Sequence, residues 1–404
     1  MLFTIAWRNV WRNRRRSQIV MVSIIVGVVA VMFNDGLSVG MVHQMLSNQI
    51  GSHVSHIQIH AKGFNDNRVI QNYIHKPAAV EQALDHAKGV QHWSKRVITF
   101  GLLSSAVNSS GGLIVGVDKH REPEVTSIRS SLISGSYLSG KPHEVVIGRR
   151  LADRLKVDIG DKVVGMASAL NGDVGSDLFR VVGIFETVSS DFDKMYMFTS
   201  LENAQNMLEL SGNVLEYAII VDDISQVVSI TSALRRELGA EYEVLSYIDL
   251  LPLLVAQVEM YNKTMYIIYL IIGLAMVFGI INTMLMSVFE RIQEFGVLMA
   301  IGMKNSYVFR MVMAEALLLS LLGTGIGLLL GIVLLLSLNA TGINFSMFAE
   351  GLNSFGVGAI IYPKLTINSI MSVVIIIPLT ALLGSIYPAL KATRLQPVNA
   401  IRYV

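Results

Sequence analysis

The chain has 404 residues, of which 52% are hydrophobic and only 15% charged, and its formal net charge is +2. So much apolar surface is typical of a membrane protein, and the weak net charge predicts no nucleic-acid partner. Because the chain has no cysteine, disulfides, thiolate metal sites and a cysteine nucleophile are excluded. The phosphate-binding pattern Gly-x-x-x-x-Gly-Lys-Ser/Thr does not occur, so ATP-driven work would require a partner subunit.

Residues 1–16 are predicted to form a basic amphipathic segment in the cytoplasm. Trp7 and Trp11 lie four residues apart, on one helical face that would rest at the level of the lipid headgroups. Residues 17–40 follow as a first transmembrane helix, because eighteen apolar residues at 1.5 Å rise span about 27 Å. The arginines before it place the N-terminus in the cytoplasm by the positive-inside rule.

Residues 41–262 contain charges, glycines and polar residues, and no run among them is long enough to cross a bilayer. We therefore expect a large α+β domain on the far side of the membrane. Strand-helix-strand patterns at 45–121 and 212–250 predict a sandwich. Residues 122–211 are predicted as an inserted β-rich lobe.

Three more uncharged runs follow, each longer than the roughly 20 residues that a span needs. They predict transmembrane helices at 263–289, 310–338 and 367–390. With the first helix they make four spans, so both termini are expected in the cytoplasm. Residues 339–366 would then form an outer loop, and residues 391–404 a cytoplasmic tail.

The segment between the second and third spans reads ERIQEFGVLMAIGM, from Glu290 to Met303. Its charges cluster at one end and its apolar residues follow at helical spacing, which indicates a short interfacial helix; a plain connecting loop is the alternative. The segment resembles the signature E-R-x-x-E-[IF]-G-x-L-x-A-x-G of FtsX/MacB-type ABC transporter permeases. The tail from Tyr387 to Arg402 is similar to the closing motif of the same family.

The resemblance implies an α-helical membrane protein with four transmembrane helices (one plus three) and a large α+β extracytoplasmic domain inserted after the first. It implies porter-like and sabre-like subdomains, and a cytoplasmic coupling helix at 290–306 that docks on a separate ABC ATPase. ATP and Mg would be bound by that partner, and this chain would hold no catalytic or metal site. The residues implied in coupling are Glu290, Arg291, Glu294, Phe295, Gly296, Leu298 and Gly302.

Within the family, the chain is most similar to the permeases that release lipoproteins from the bacterial inner membrane. The partners implied are ABC ATPase subunits, a second permease copy or paralogue, a periplasmic lipoprotein carrier and a lipid-anchored substrate. The turn at Asn171-Gly172 would be either a plain hairpin tip or a docking hairpin for the carrier. The outer ends of the first two spans would line the substrate cavity, with Val29, Met32, Phe33, Met265, Ile268 and Ile272.

Two other functions within the family stay open: a MacB-like efflux permease, and an FtsX-like signalling subunit that controls a cell-wall hydrolase. A membrane-anchored periplasmic enzyme is disfavoured, because the sequence contains no Ser-His-Asp cluster or paired carboxylates.

Three histidines close in sequence, His53, His56 and His60, suggest a metal site. Most of this stretch alternates like a strand, in which His56 and His60 would be about 13 Å apart and could not share an ion. A solvated strand face is therefore the preferred interpretation.

The third span contains two further features. Glu315 is expected to pair with Arg310 or Lys304 near the inner interface, because an unpaired carboxylate in the bilayer is costly. Glycines at intervals of four predict close helix packing within the subunit. They are Gly323, Gly327 and Gly331.

Overall fold

The computed structural model describes residues 2–12, 14–354 and 356–394. The chain divides into two compact units. The first unit comprises Met1–Val42, Gln257–Asn344 and Ile360–Val404, and the second comprises His43–Ala256 and Phe345–Ala359.

The helices and strands are numbered in chain order. The α-helices are α1 (Leu2–Arg12), α2 (Arg14–Gln49), α3 (Pro77–His86), α4 (Glu122–Val125), α5 (Arg149–Leu155), α6 (Ser190–Met195), α7 (Leu201–Met207), α8 (Val227–Leu238), α9 (Tyr247–Leu250), α10 (Pro252–Glu290), α11 (Ile292–Ala300), α12 (Asn305–Thr341), α13 (Ala349–Ser354) and α14 (Ile367–Thr393). The strands are β1 (Ile57–Ala61), β2 (Val90–Ser104), β3 (Ser109–Val117), β4 (Leu132–Gly135), β5 (Glu144–Gly148), β6 (Lys162–Ser168), β7 (Val174–Phe185), β8 (Tyr196–Ser200), β9 (Glu216–Val221), β10 (Tyr242–Ser246), β11 (Ile343–Asn344) and β12 (Ile360–Ile361).

Four helices among the described residues are long and apolar enough to cross a membrane: α2, α10, α12 and α14. Two of them extend well beyond the spans predicted from hydropathy. Helix α2 continues to Gln49 rather than ending at residue 40, and α10 begins at Pro252 rather than at residue 263. Hydropathy marks only the apolar part of a helix, whereas the backbone hydrogen bonding continues into polar sequence.

The glycine stripe of α12 packs against α2. A Cβ atom on any of the three glycines would lie 2.8 Å or less from a side-chain atom of α2, so only glycine permits this approach. The predicted close packing within the subunit is therefore confirmed. The pairs are Gly323 with Ile24, Gly327 with Val28, and Gly331 with Met32.

The second unit is built on one ten-stranded sheet, in the order β10-β1-β9-β2-β3-β8-β5-β7-β4, with β6 paired to β2 and β7. Most neighbours are antiparallel, but β3 with β8 and β5 with β7 are parallel. The predicted lobe of residues 122–211 supplies β4 to β8, and its strands are hydrogen-bonded to β2 and β3. The predicted boundary at residue 121 therefore falls inside one continuous sheet.

The histidines do not lie on a solvated strand face, so that interpretation was wrong. His53 belongs to a π-helical turn, Ile50–Val54, and β1 begins only at Ile57. His60 is buried, because β1 lies between β9 and β10, and its Nδ1 is 3.1 Å from the carbonyl oxygen of Leu215. Within the described ranges, no group of three or more histidine or acidic residues is placed to hold a metal ion.

Candidate functional site

Helix α11 lies between two of the long apolar helices and forms most of the predicted coupling segment. It has nine residues and ends in a turn at Gly302, whose φ is 100° and whose amide donates to the carbonyl oxygen of Met299 at 3.0 Å. Glycine adopts this left-handed conformation without strain, which is the helix ending expected from the sequence. The predicted segment 290–306 is thus a short helix, a turn, and the first residues of α12.

Arg291 fixes the start of α11 against α12. Its Nη1 donates to Oε2 of Glu315 at 3.0 Å, and its Nε donates to Oε2 of Glu294 at 2.9 Å. Arg291 and Glu315 are both buried, so each offsets a charge that would otherwise be costly to remove from water. The structure pairs Glu315 with Arg291, so the expected pairing with Arg310 or Lys304 was wrong.

Glu294 joins α11 to the N-terminal helix α1. Its Oε1 accepts a hydrogen bond from Nη2 of Arg12, while its other oxygen accepts from Arg291. Burial alone would raise the pKa of Glu294, but hydrogen bonds from the two arginines outweigh it and lower that pKa. One carboxylate therefore links α1 to α11 and is ionised at neutral pH.

The inward face of α11 is apolar. Phe295 is only 1% exposed and belongs to the core of the first unit, and the Arg291 guanidinium lies 5.2 Å from the centre of its ring. Gly296 is also buried, and Leu298 is half-buried. Four residues predicted for partner contact, these three and Arg291, therefore hold the helix in place, whereas Glu290 and Glu294 are exposed.

The outward face of the segment was missed by sequence reasoning. Gln293, Val297 and Ala300 are exposed on α11, and Ile301, just after it, is 80% exposed. These positions recur at helical spacing, out of phase with the inward residues. Assigning the two faces separately would have found them. These four residues form the outward face of the segment.

The predicted cavity residues differ in exposure. Met32 is 1% exposed and lies against Gly331 of α12, so it cannot line an open path in this conformation. The other five are half-buried on α2 and α10. The neighbouring face of α10 is exposed and apolar: Tyr266, Ile267, Leu270, Ile271, Leu274 and Phe278.

The hairpin between β6 and β7 has the turn that the sequence predicts. Ser168 and Val174 are paired, and Gly172 closes the connection with a φ of 90°. Asn171 caps the turn, since its Oδ1 accepts from the amide of Asp173 at 2.8 Å. The docking role of this exposed tip stays a prediction.

Two family models match the chain. The model described as a MacB-like periplasmic core domain matches residues 17–237, and the model described as FtsX-like permease C-terminal matches residues 266–397. The first alone matches more than half of the chain. The last part of the closing motif, residues 395–402, lies outside the described residues.

Three curated relatives illustrate the range of names in this group. The lipoprotein-releasing system protein LolC of Xylella fastidiosa is 25% identical over 303 residues, covering 71% of this chain and 72% of the relative. LolE of Haemophilus influenzae is 22% identical and covers 99% of this chain and 98% of the relative. The macrolide export protein MacB of Hahella chejuensis is 31% identical over 123 residues, covering 30% of this chain and 16% of the relative. With the family models, these matches show that the chain belongs to the FtsX/MacB-type ABC transporter permeases.

Proposed function

We propose that this permease subunit extracts lipoproteins from the bacterial inner membrane and passes them to a periplasmic carrier. It would work with a second permease copy or paralogue and with separate ATPase subunits that bind ATP and Mg. The full-length similarity to a lipoprotein-releasing protein supports this choice. The MacB-like core domain supports efflux as the second candidate.

The observation that carries the transport role is the two-sided construction of α11. Its inward side is fixed by the buried Arg291–Glu315 pair and by Phe295, while Val297 and Ile301 on its outward face are exposed. Exposed apolar residues on a rigid helix are typical of a contact surface for a soluble protein. An ATPase bound there would push on α12 through a buried ion pair rather than through a flexible loop.

The proposed cargo explains why ATP is needed. Each buried CH2 of an acyl chain holds a lipoprotein in the bilayer by about 0.8 kcal/mol, so two or three chains add up to the order of tens of kcal/mol. A path for them must be apolar and open sideways to the lipid. The exposed face of α10, which includes Leu270 and Phe278, has this character.

The test is carrier-dependent release from proteoliposomes that contain this chain, its partner ATPase and a labelled lipoprotein. We expect soluble lipoprotein–carrier complex only when ATP is hydrolysed, and a loss of release when Ile301→Asp is introduced. ATP-dependent export of a macrolide from the same vesicles, without lipoprotein release, would support the efflux function instead.

A further inference from the structure

A partly enclosed cavity lies inside the second unit, beside the central strands of its sheet. Its volume is about 180 Å³, close to the roughly 150 Å³ of an engineered protein cavity that holds one benzene molecule. Most of its wall is apolar or aromatic, including Ile98, Leu113 and Tyr196. The space therefore suits a molecule with a single ring.

The cavity is lined by residues near the beginning and near the end of the main segment of the second unit, His43–Ala256. His53 and Val54 line it from the π-helical turn that directly follows α2. Leu250 and Leu251 line it from the residues that directly precede α10. A bound molecule would thus contact both segments that connect this unit to long apolar helices.

Behind one wall lies a buried ionic cluster that carries an excess negative charge. Arg96 donates from Nε to Glu122 at 3.0 Å and from Nη1 to Glu216 at 2.8 Å. All three side chains are at most 4% exposed. Two carboxylates share one guanidinium, and a buried charge without compensation is costly.

Glu216, one of the two carboxylates of this cluster, also lines the cavity. Its Oε1 accepts from Arg96, but its Oε2 accepts no hydrogen bond from the described residues. The nearest ring nitrogen, Nε2 of His60, is 3.7 Å from Oε2, beyond hydrogen-bonding distance. Burial is the main influence on His60 and lowers its pKa, so the imidazole does not supply the missing positive charge at neutral pH.

The aromatic wall is neutral as well. The His53 ring lies 5.1 Å from that of Tyr196, and burial, together with the charges of Arg96 and Arg68, lowers the pKa of His53 to about 3. A neutral aromatic wall favours both a ring and a nearby cation. Arg68 is the one arginine or lysine among the lining residues; it is exposed, so solvent screens its charge.

We propose that this cavity binds a small organic amine with one ring. The ammonium group would donate a hydrogen bond to Oε2 of Glu216 and compensate the buried cluster. The ring would lie against Tyr196, Ile98 and Leu113. A ligand in this position would act on the two connecting segments, which makes the cavity a site for an effector molecule rather than a transport path.

The test uses the full chain in detergent and 4-fluorophenethylamine as the probe, followed by fluorine NMR. We expect saturable binding of the amine. The isosteric neutral alcohol, 4-fluorophenethyl alcohol, should bind at least tenfold more weakly. Equal binding of the amine and the alcohol, or no saturable signal with the amine, would overturn the proposal.

Three variants separate the contributions of charge and space. Glu216→Gln should weaken amine binding at least tenfold, and Leu113→Trp should abolish it by filling the cavity without touching the ionic cluster. Arg68→Gln should strengthen amine binding severalfold, because it removes a like charge from the rim. Tighter binding of 4-fluorophenylacetate than of the amine, lost in Arg68→Gln, would identify an anion site and contradict the proposal.

Discussion

The guanidinium of Arg291 and the carboxylate of Glu315 form a buried ion pair, 3.0 Å apart, between α11 and α12. The two residues are 24 positions apart: Arg291 directly precedes α11, and Glu315 lies within α12. The pair connects the beginning of α11 to the third turn of α12, and under the proposed function it would carry movement of α11 to α12.

Removing one member of this pair should be more harmful than removing both. Among the described residues, Glu315→Leu leaves the buried Arg291 charge with Glu294 as its remaining ionic partner, so we expect a loss of about 3–5 kcal/mol in the free energy of unfolding. The double variant Arg291→Met/Glu315→Leu should recover part of that loss, because it no longer leaves the Arg291 charge buried. Denaturant unfolding of the purified full chain in detergent measures both, and additive losses would contradict the pair.

The outward face of α11 should be required for contact with the ATPase. Val297→Asp and Ile301→Asp place a charge on that face, so we expect copurification of the ATPase to fall at least tenfold while the permease still inserts. Val228→Asp is the matched control, because Val228 is also apolar and exposed, at 59% against 46% for Val297 and 80% for Ile301, but lies on α8 of the other unit. Equal loss in the control would indicate a general defect.

Glu294 is a poor position for the same test. A Glu294→Lys variant would break the hydrogen bonds to Arg12 and Arg291, so a loss of activity could come from misplacing α1 and α11. The exposed apolar residues have no such role within the chain, which makes them the sharper probes of partner contact.

The sequence predicted what depends on local composition. Four apolar runs, the bend at Gly302 and the turn at Gly172 follow from hydropathy and backbone preference, and all three appear in the structure. The Arg291–Glu315 pair did not follow, because short sequence separation favoured Arg310 as the partner. The parallel pairing of β3 with β8 was also missed, because pairing between strands that are distant in sequence leaves no local signal.

The hydrogen bond from the Tyr269 hydroxyl to Asp35 ties α10 to α2 and should stabilise their contact. The second carboxylate oxygen of Asp35 is buried and has no hydrogen-bond partner among the described residues. Tyr269→Phe should therefore cost about 1–3 kcal/mol, as expected for a buried acceptor that loses its donor. Asp35→Leu added to Tyr269→Phe should restore part of the loss; no recovery in denaturant unfolding would argue against this contact.

Acid should destabilise the second unit through His53. Because its folded-state pKa is lowered to about 3, the unfolded chain binds the proton first once the pH falls below about 6.5. The stability that the neutral ring provides is complete above that pH and is lost as the pH falls toward 3. His53→Phe keeps a ring but cannot titrate, so its stability should depend less steeply on pH.

Trp93 provides the measurement. It is buried in the second unit, and replacing Trp7 and Trp11 with phenylalanine leaves it as the only tryptophan of the chain. The denaturant midpoint is read from Trp93 fluorescence at pH 7, 5 and 4. As the pH falls, it should fall more in the Trp7→Phe/Trp11→Phe variant than in the same variant with His53→Phe added. Parallel curves would contradict the assignment to His53.

The cargo path is best probed at Ile268. This residue is half-buried on α10, beside the exposed apolar face, whereas Met32 is packed against Gly331 and should be avoided. If lipoproteins enter sideways between α2 and α10, a photo-crosslinker at Ile268 should capture a lipoprotein from native membranes. The adduct should diminish when ATP hydrolysis is allowed, because turnover removes the cargo.

A crosslinker at Leu329 is the matched control for this capture. Leu329 is exposed and apolar on α12. A crosslinker there should therefore capture phospholipid and chance neighbours as often as a crosslinker at Ile268. Lipoprotein captured at Ile268 but not at Leu329 would support lateral entry along α10. Equal capture at both positions, or capture at Ile268 of only phospholipid and another permease subunit, would argue against lipoprotein as the cargo and favour the efflux function.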